Sequence, residues 1–216
     1  MNERYAGLVN NFDNYAYHFL GCGAIGSAAA VTMVKMGAKC IHLYDMDKVE
    51  RPNVGVSVYD RNDINKDKVS ALKDRLLCID PYLEVHTHHG MFEQYRPEDN
   101  NVVILGFDSM ESRLYAVKQI LKHKKPDVLI DGRMGAEHYQ QYTFKSPTLS
   151  QYKKTWYSDS EGDDEPCNAK ATSYCSNMTG SFICNNVKKI LKDEPYLNNF
   201  SFNFQTMALN SDGFVS

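Results

Sequence analysis

A chain of 216 residues with 43% hydrophobic and 12% aromatic residues is long enough to form one domain with a sizeable core, which excludes a disordered protein. Its 24 basic and 27 acidic side chains give a net charge of −3, so the sequence predicts no nucleic-acid partner. It has no run of about 18 apolar residues, and its charged start lacks the apolar region of a signal peptide. We therefore expect no membrane partner and a cytoplasmic location.

Apolar runs alternate with helical patterns along the first 131 residues. In chain order they predict a strand at 15–20, a helix at 27–36, a strand at 39–45, a helix at 67–77, strands at 83–88 and 102–106, a helix at 109–121 and a strand at 128–131. A polar stretch with an acidic cluster at about 145–166 predicts a mobile surface loop, and a helix is expected at 181–192. Phe200, Phe202 and Phe204 alternate with polar residues, which predicts a late strand.

Strands that alternate with helices predict an α/β, Rossmann-like fold with a mostly parallel sheet, helices on both faces and a late antiparallel segment. No repeat or long linker interrupts the chain, so we expect a single domain over residues 1–216. The six cysteines include no Cys-x-x-Cys pair, so their spacing predicts neither a structural zinc site nor a disulfide framework. We expect most of them to be reduced and buried.

A glycine-rich motif, Gly21-x-Gly23-x-x-Gly26, follows the first predicted strand and precedes the first predicted helix. Glycine at these positions permits a tight turn and lets phosphate oxygens approach the backbone N–H groups at the start of the helix. Asp45 ends the second predicted strand, where a carboxylate can accept hydrogen bonds from ribose hydroxyls. These residues predict a nucleotide-binding site without specifying the nucleotide, and Asp45 favours this interpretation over a turn that serves only the fold.

Two further positions bear on which nucleotide is bound. Asp47 and Asn53 follow the second predicted strand, and both residue types are also common in polar loops. Lys68 begins a predicted helix, where a cation is poorly placed for the helix dipole. Lys68 is therefore either a solvated side chain or a contact for the phosphates of ATP.

Two later strands also end in polar residues. Asp108 follows the apolar strand at 102–106, at the end where open α/β sheets bind ligands, but an aspartate there also serves as a helix N-cap. Arg133 follows the strand at 128–131 between two glycines. The glycines predict a turn, and Arg133 either belongs to that turn or lines the site.

This ordered set resembles the ubiquitin-activating-enzyme-like adenylyltransferases of the ThiF/MoeB type, over residues 4–191. The resemblance rests on Gly21-x-Gly23-x-x-Gly26, Asp45-x-Asp47, Asn53, Asp63-Ile64-x-x-x-Lys68 and Asp108-x-x-x-x-Arg113. The family activates the C-terminal glycine of a ubiquitin-like or sulfur-carrier protein as an acyl-adenylate. It uses ATP and Mg²⁺ and usually works as a dimer.

The resemblance implies a role for each motif residue. The residues implied to bind the nucleotide are Gly21, Gly23, Gly26, Asp45 at the ribose, Asp47, and Asn53 and Lys68 at the phosphates. Asp108 would hold Mg²⁺, and Arg4 resembles the arginine that reaches into the neighbouring subunit's site. The catalytic set is then Lys68, Asp108 and Arg4, and the partners are a carrier protein and a second copy of the chain.

The chain departs from the family's pattern after Asn53, where Val56 stands at about the position of a common arginine. A phosphate contact is therefore missing, or is supplied by Arg51, Arg61 or Arg133. The absence of paired Cys-x-x-Cys ligands implies a branch of the family without zinc.

Some members of the family form a thioester on a catalytic cysteine, so we ask whether this chain has a matching cysteine. Cys167 and Cys175 lie near the corresponding region, but acidic neighbours of Cys167 would raise the pKa of its thiol. The short chain also leaves little room for a thioester domain, so we do not expect this role for either cysteine.

Three histidines between residues 86 and 89 suggest a metal site. Only His86 and His88 share one face of the predicted strand, and the sequence identifies no third ligand. The interpretation that we favour is an exposed sheet edge.

The sequence therefore predicts ATP-dependent adenylation of the C-terminal carboxylate of a ubiquitin-like or sulfur-carrier protein, or of a peptide. One alternative is a catalytically inactive subunit that binds such a protein, which Val56 motivates. Another is an NAD-dependent oxidoreductase, which the glycine motif and Asp45 fit equally well. That alternative gives Lys68 and Asp108 no matching role and lacks a visible substrate domain.

Overall fold

The computed structural model describes residues 5, 7–9, 11–90, 95, 99–161 and 171–216. The strands are β1 (Ala16–Leu20), β2 (Cys40–Tyr44), β3 (Glu84–His88), β4 (Asn101–Leu105), β5 (Val128–Gly135), β6 (His138–Lys145), β7 (Tyr196–Leu197), β8 (Asn199–Asn203), β9 (Ala208–Ser211) and β10 (Phe214–Val215). The α-helices are α1 (Ala24–Lys35), α2 (Arg51–Val54), α3 (Lys68–Ile79), α4 (Met110–Ile120), α5 (Leu149–Lys153) and α6 (Ser173–Leu191). In these ranges, no helix combines the length and apolar character needed to cross a bilayer.

Eight strands form one sheet in the order β3-β2-β1-β4-β5-β6-β8-β9. The first five are parallel, while β6, β8 and β9 pair in antiparallel fashion. The predicted Rossmann-like fold with a late antiparallel segment is therefore confirmed. Because β2 and β4 flank β1 on opposite sides, the carboxyl ends of β1 and β4 meet at the crevice where such sheets bind ligands.

Helix α6 begins at Ser173, well before the predicted start at residue 181. Its early turns bury Ser176 and Thr179, whose hydroxyls donate to backbone carbonyls of the same helix, so the hydrophobic pattern there is weak. Gly180 brings α6 against α1, since a Cβ at this position would lie 2.6 Å from the carbonyl oxygen of Ala28. The glycine and the small residues of α1 therefore allow close helix packing.

The hairpin of β5 and β6 was not predicted from the sequence. Residues 132–135 continue β5 instead of forming the expected turn, and they pair with β6. Besides Tyr139, the inward face of strand β6 buries the polar residues Gln141 and Thr143, so its apolar signal is weak. These side chains are satisfied internally, because Gln141 Nε2 donates to Thr143 Oγ1 at 3.1 Å and the Tyr139 hydroxyl donates to Gln141 Oε1 at 2.8 Å.

The segment at 145–166, expected to be a loop, is partly helical. Helix α5 occupies Leu149–Lys153 and is capped by Thr148, and Tyr152 is fully buried. A 3-10 turn follows at Asp159–Glu161. A buried tyrosine packs this part of the segment onto the sheet, which a polar composition does not reveal.

His18, at the centre of β1, is fully buried. Its Nε2 lies 2.9 Å from Asn101 Oδ1, its Nδ1 lies 3.3 Å from the Tyr44 hydroxyl, and its ring stacks on His42 at 4.4 Å. Burial, reinforced by the neighbouring His42, lowers the pKa of His18 from 6.5 to about 3. The native state thus holds this ring neutral.

The buried His18 predicts a loss of stability in acid. Because its pKa is lower in the folded than in the unfolded chain, the unfolded chain binds the extra proton between about pH 6.5 and pH 3. As the pH falls through this window, we expect protonation of His18 in the unfolded chain to lower the free energy of unfolding by up to about 1.4 kcal/mol per pH unit. Urea unfolding at a series of pH values measures this slope. His18→Gln should flatten it and the exposed control His138→Gln should not, and equal slopes in both variants would contradict the assignment.

Candidate active site

The glycine motif forms the turn between β1 and α1. Gly21 has a positive φ of 92°, and a Cβ there would lie 2.8 Å from the backbone of Gly106. A Cβ on Gly26 would lie 1.9 Å from the carbonyl oxygen of Gly21. A Cβ on Gly23 would meet nothing within 4 Å, so this glycine faces open space at the start of α1. No side chain among the described residues caps these first N–H groups, which leaves them able to bind phosphate oxygens.

Asp45 is attached directly to this turn. Its Oδ2 accepts a hydrogen bond from the backbone N–H of Cys22 at 2.8 Å, and its Oδ1 accepts from the N–H of Asp47 at 2.8 Å. Two backbone donors therefore fix the carboxylate at the carboxyl end of β2, beside the open face of Gly23. This is the place that a ribose-binding carboxylate occupies in dinucleotide-binding folds.

Lys68 also reaches the turn, from the start of α3. Its Nζ lies 2.8 Å from Asp47 Oδ2 and 3.9 Å from Asp45 Oδ1, and its side chain is only 11% exposed. Asp47, in contrast, is 62% exposed. The alternative of a simply solvated lysine is therefore wrong, since this ammonium group is held between two carboxylates at the end of β2.

Burial and the contacts between Asp45, Asp47 and Lys68 set the pKa values of Asp45 and Lys68. Burial raises the pKa of the Asp45 carboxyl, while Lys68 and the two backbone donors oppose the shift. Burial disfavours the charged form of Lys68, but Asp45 and Asp47 outweigh this effect and raise its pKa above the ordinary value. Lys68 consequently carries a positive charge at neutral pH, which suits an anionic ligand.

Tyr59 is a part of the site that the sequence analysis missed. Its buried hydroxyl lies 2.6 Å from the carbonyl oxygen of Cys22 and 3.2 Å from that of Lys68. One side chain thus connects the glycine turn to the start of α3 and fixes the position of Lys68 relative to Gly23. No motif marks a tyrosine for this role, since the contact depends on the tertiary fold.

Asn53 lies in the short helix α2. Its Oδ1 accepts from the backbone N–H of Glu50 at 2.8 Å, so the side-chain oxygen belongs to a capping box. The amide nitrogen is the part that can donate to a phosphate. Arg51 and Arg61, considered as substitutes for the missing arginine, are both exposed.

Asp108 follows β4 and is exposed. It does not cap α4, because Ser109 is the N-cap residue and accepts from the N–H of Ser112 at 3.2 Å. The Asp159 carboxylate accepts a hydrogen bond from another backbone donor at the start of this helix, the N–H of Met110, at 2.8 Å. The capping alternative for Asp108 is therefore wrong. No hydrogen bond or ion pair joins its carboxylate to another residue within the part of the chain that the structure describes.

A buried ion cluster supports the loop that carries Asp108. Arg113 pairs with Asp131, donates to the carbonyl oxygen of Gly132 at 2.9 Å and donates to the carbonyl oxygen of Phe107. Arg133 pairs with the other oxygen of Asp131 at 2.7 Å. Arg113 thus holds Phe107, the residue before Asp108, to β5.

Arg133 is buried and does not present an open cation to the glycine turn. Besides Asp131, its guanidinium donates to the carbonyl oxygen of Thr155 at 2.7 Å and lies 4.4 Å from the ring centre of Tyr142. The expectation that Arg133 lines the site or replaces the missing arginine is therefore not supported by its contacts. It joins β5 to the segment after α5.

A protein-family model matches residues 9–214 of the chain, and its description is the ThiF family. This chain belongs to the ThiF family. A probable molybdopterin-synthase adenylyltransferase from Gracilaria tenuistipitata var. liui is 29% identical over 112 residues, which are 49% of this chain and 32% of that protein. Ubiquitin-like modifier-activating enzyme 5 from Caenorhabditis elegans is 29% identical over 86 residues, which are 38% of this chain and 20% of that protein. The matches thus span a third or less of these relatives.

Solved structures confirm the fold of this ThiF-family chain. The microcin C7 biosynthetic enzyme MccB, in complex with N-formylated MccA, superposes with a TM-score of 0.77 at 18% identity, covering 94% of this chain and 65% of MccB. PaaA superposes with a TM-score of 0.75 at 18% identity, covering 100% of this chain and 69% of PaaA. At such identities the likeness concerns the fold alone.

In this ThiF-family chain, Cys22, Cys78, Cys175 and Cys184 are free thiols. Cys175 is fully buried, and burial together with Glu137 raises the pKa of its thiol to about 11. Burial raises the pKa of the Cys184 thiol to about 12. Both thiols are therefore protonated at neutral pH, which argues against a thioester role for Cys175. Cys167, the other candidate, and Arg4 lie outside the described residues.

Proposed function

We propose that this chain uses ATP and Mg²⁺ to adenylate the C-terminal carboxylate of a ubiquitin-like or sulfur-carrier protein, or of a peptide. The observation that carries the proposal is the position of Lys68, which Asp45 and Asp47 hold beside the glycine turn at the carboxyl end of the sheet. A turn that can bind phosphate, a carboxylate that can bind ribose and a fixed cation are the components of a binding site for a nucleoside triphosphate.

The chemistry requires charge stabilisation and no general base. A terminal carboxylate has a pKa of about 3.5, so it is already ionised when it attacks the α-phosphorus at neutral pH. The new bond joins a carboxylate oxygen to phosphorus, the bond between the α- and β-phosphates breaks, and pyrophosphate leaves with the electron pair. The barrier comes from bringing one anion to another, so the useful groups are cations placed where negative charge develops.

Lys68 is proposed to supply one of these cations. The Nζ of Lys68 is paired with Asp47, whose side chain is largely exposed. A phosphate oxygen can take over this contact at little cost, because water readily solvates the released Asp47 carboxylate. Asp45 keeps its two backbone donors in either state and remains available to the ribose through its outer lone pairs.

Asp108 is proposed to hold Mg²⁺. Mg²⁺ takes oxygen ligands, and the Asp108 carboxylate is exposed at the carboxyl end of β4, two residues after the Gly106 backbone that contacts Gly21. When bound there, the ion would neutralise charge on the phosphates. Arg4 is proposed to act on the site of a neighbouring subunit in a homodimer, as the family resemblance implies.

Nucleotide binding and ATP–pyrophosphate exchange test the proposal. We expect the chain to bind ATP in calorimetry. We also expect exchange that depends on a ubiquitin-like protein ending in glycine or on a short peptide with a free C-terminal carboxylate. Lys68→Met should weaken ATP binding about tenfold or more, because a charge-assisted contact is lost. Lys66→Met is the matched control, since the Lys66 ammonium pairs with Asp63 at 3.1 Å.

Each other outcome points to a different function. Binding of a carrier protein without ATP binding would identify an inactive subunit. NADH binding in place of ATP would identify a dinucleotide-dependent enzyme and contradict the role of Lys68. Equal ATP affinities of the Lys68→Met and Lys66→Met variants would place the nucleotide elsewhere.

A further inference from the structure

One face of the sheet carries a row of histidines that the nucleotide site does not use. His18 on β1, His42 on β2 and His86 on β3 are paired in register. Their rings stack, with centroids 4.4 Å apart between His18 and His42 and 4.5 Å apart between His42 and His86. Because β3 is an edge strand, the row runs from the buried His18 to the exposed His86.

Cys40 joins the outer end of this row. It lies two residues before His42 on β2 and therefore points to the same face of the sheet. Its Sγ is 3.6 Å from His42 Nε2, and one ligand atom from each of Cys40, His42 and His86 lies within 4.8 Å of the other two. The three residues, which we call the edge cluster, bring a thiol and two imidazoles together.

The spacing in the edge cluster agrees with tetrahedral zinc coordination. Zinc–sulfur and zinc–nitrogen bonds of about 2.3 Å and about 2.05 Å at a tetrahedral angle place sulfur and nitrogen about 3.6 Å apart. Cys40 Sγ and His42 Nε2 are separated by this distance, 3.6 Å. A thiolate with two imidazoles is a donor set that favours zinc over Mg²⁺ or Ca²⁺, which prefer oxygen.

The groups around the edge cluster are those that support metal-binding histidines. His42 Nδ1 lies 3.4 Å from His88 Nε2, which orients the ring and leaves Nε2 directed toward Cys40. Glu84 Oε1 lies 2.8 Å from His86 Nε2 and brings a carboxylate to the solvent side of the cluster. Hydrogen bonds of this kind fix the tautomer and orientation of ligating imidazoles, and water can take the fourth position of a three-ligand zinc site.

We propose that Cys40, His42 and His86 bind one Zn²⁺ ion at the edge of the sheet. The edge cluster is separate from the nucleotide site, because Cys40 begins β2 and Asp45 follows its end, roughly 16 Å away along the strand. On binding, the Cys40 thiol loses its proton to solvent and the sulfur bonds to the ion as a thiolate. The ion ties the edge strand β3 to β2.

Binding also requires a small movement of His86. The rings of His42 and His86 are 17° from parallel, and nitrogen lone pairs lie in the ring planes, so the two rings must tilt to converge on one ion. His42 is nearly buried, whereas the His86 side chain is 43% exposed and can rotate. Zinc therefore replaces the stacking of these two rings with shared coordination.

Metal titration of the full chain tests the proposal. After dialysis against a chelator, Zn²⁺ is titrated in competition with a chromophoric chelator, and we expect one ion per chain. Cys40→Ser and His86→Gln should each weaken this binding at least tenfold. The matched controls Cys78→Ser and His138→Gln alter an exposed cysteine and an exposed histidine outside the edge cluster, and should leave binding unchanged.

Co²⁺ provides a second measurement that does not depend on a variant folding correctly. In the wild-type chain, Co²⁺ should give a thiolate-to-metal charge-transfer absorption band that added Zn²⁺ removes. A Co²⁺ complex without this band, or no ion bound to the wild-type chain, would overturn the proposal. So would a loss of binding that is equal in the Cys40→Ser and Cys78→Ser variants.

Discussion

Replacing Asp108 with alanine is expected to slow the proposed adenylation reaction by about 100-fold or more while leaving the fold intact. The carboxylate is exposed, and Ser109 and Asp159 cap the helix that follows, so its removal breaks no structural contact among the described residues. If Asp108 holds Mg²⁺, its loss removes charge stabilisation from the transition state, which costs a few kcal/mol of barrier. ATP–pyrophosphate exchange measures the rate, and circular dichroism measures the fold.

Asp159→Ala is the matched control for this substitution. It removes a different carboxylate at the start of the same helix, one that accepts from the backbone N–H of Met110. We expect a small loss of stability and little change in the exchange rate. If Asp159→Ala slowed exchange as much as Asp108→Ala, local order at the start of α4 would explain both results, and the metal-binding role of Asp108 would be excluded.

Replacing Asp131 with asparagine is expected to lower the free energy of unfolding by about 3–5 kcal/mol. This carboxylate is fully buried and pairs with both Arg113 and Arg133, and it also accepts from the Tyr152 hydroxyl at 3.1 Å. Asparagine has nearly the same shape but no charge, so two buried guanidinium groups would lose their counterion. Equilibrium unfolding in urea measures the change.

The control for the Asp131 prediction is an exposed ion pair. Asp193 pairs with Lys145 at 3.3 Å and its side chain is 87% exposed. Because water screens such pairs, Asp193→Asn should have a much smaller effect than Asp131→Asn. Similar losses in both variants would mean that the buried cluster of Asp131 contributes no more than a surface contact.

The sequence predicted the parallel half of the fold well because its central strands are mostly apolar. Strands β1 and β4 are buried at every position, and their apolar runs matched the structure within one residue at either end. The antiparallel half was harder to predict. Strand β6 and helix α6 bury polar side chains, some of which bond to each other, such as the Asn186 amide donating to Thr143 Oγ1 at 3.0 Å.

The candidate site could be predicted where residues act through local sequence or stand in the ordered motifs of the family. The glycine turn and Asp45 follow from the strand-turn-helix pattern, and the structure places them together. Tyr59 carries no local signal, because its hydroxyl acts across the tertiary fold on the carbonyl oxygen of Cys22. Likewise, the edge cluster depends on the register of β2 and β3, which places Cys40 and His42 beside a histidine more than 40 residues later.

The contact of Gly106 with Gly21 and Gly26 has a consequence for ligand affinity. A Cβ on Gly106 would lie 3.1 Å from the backbone nitrogen of Gly26 and 3.3 Å from the carbonyl oxygen of Gly21, so main chain meets main chain without side chains between them. The two loops at this crevice are thus held together by main-chain packing within the protein itself. Preorganisation of this kind reduces the entropy cost of ordering the loops on binding. A larger part of the free energy of each polar contact is therefore retained as affinity.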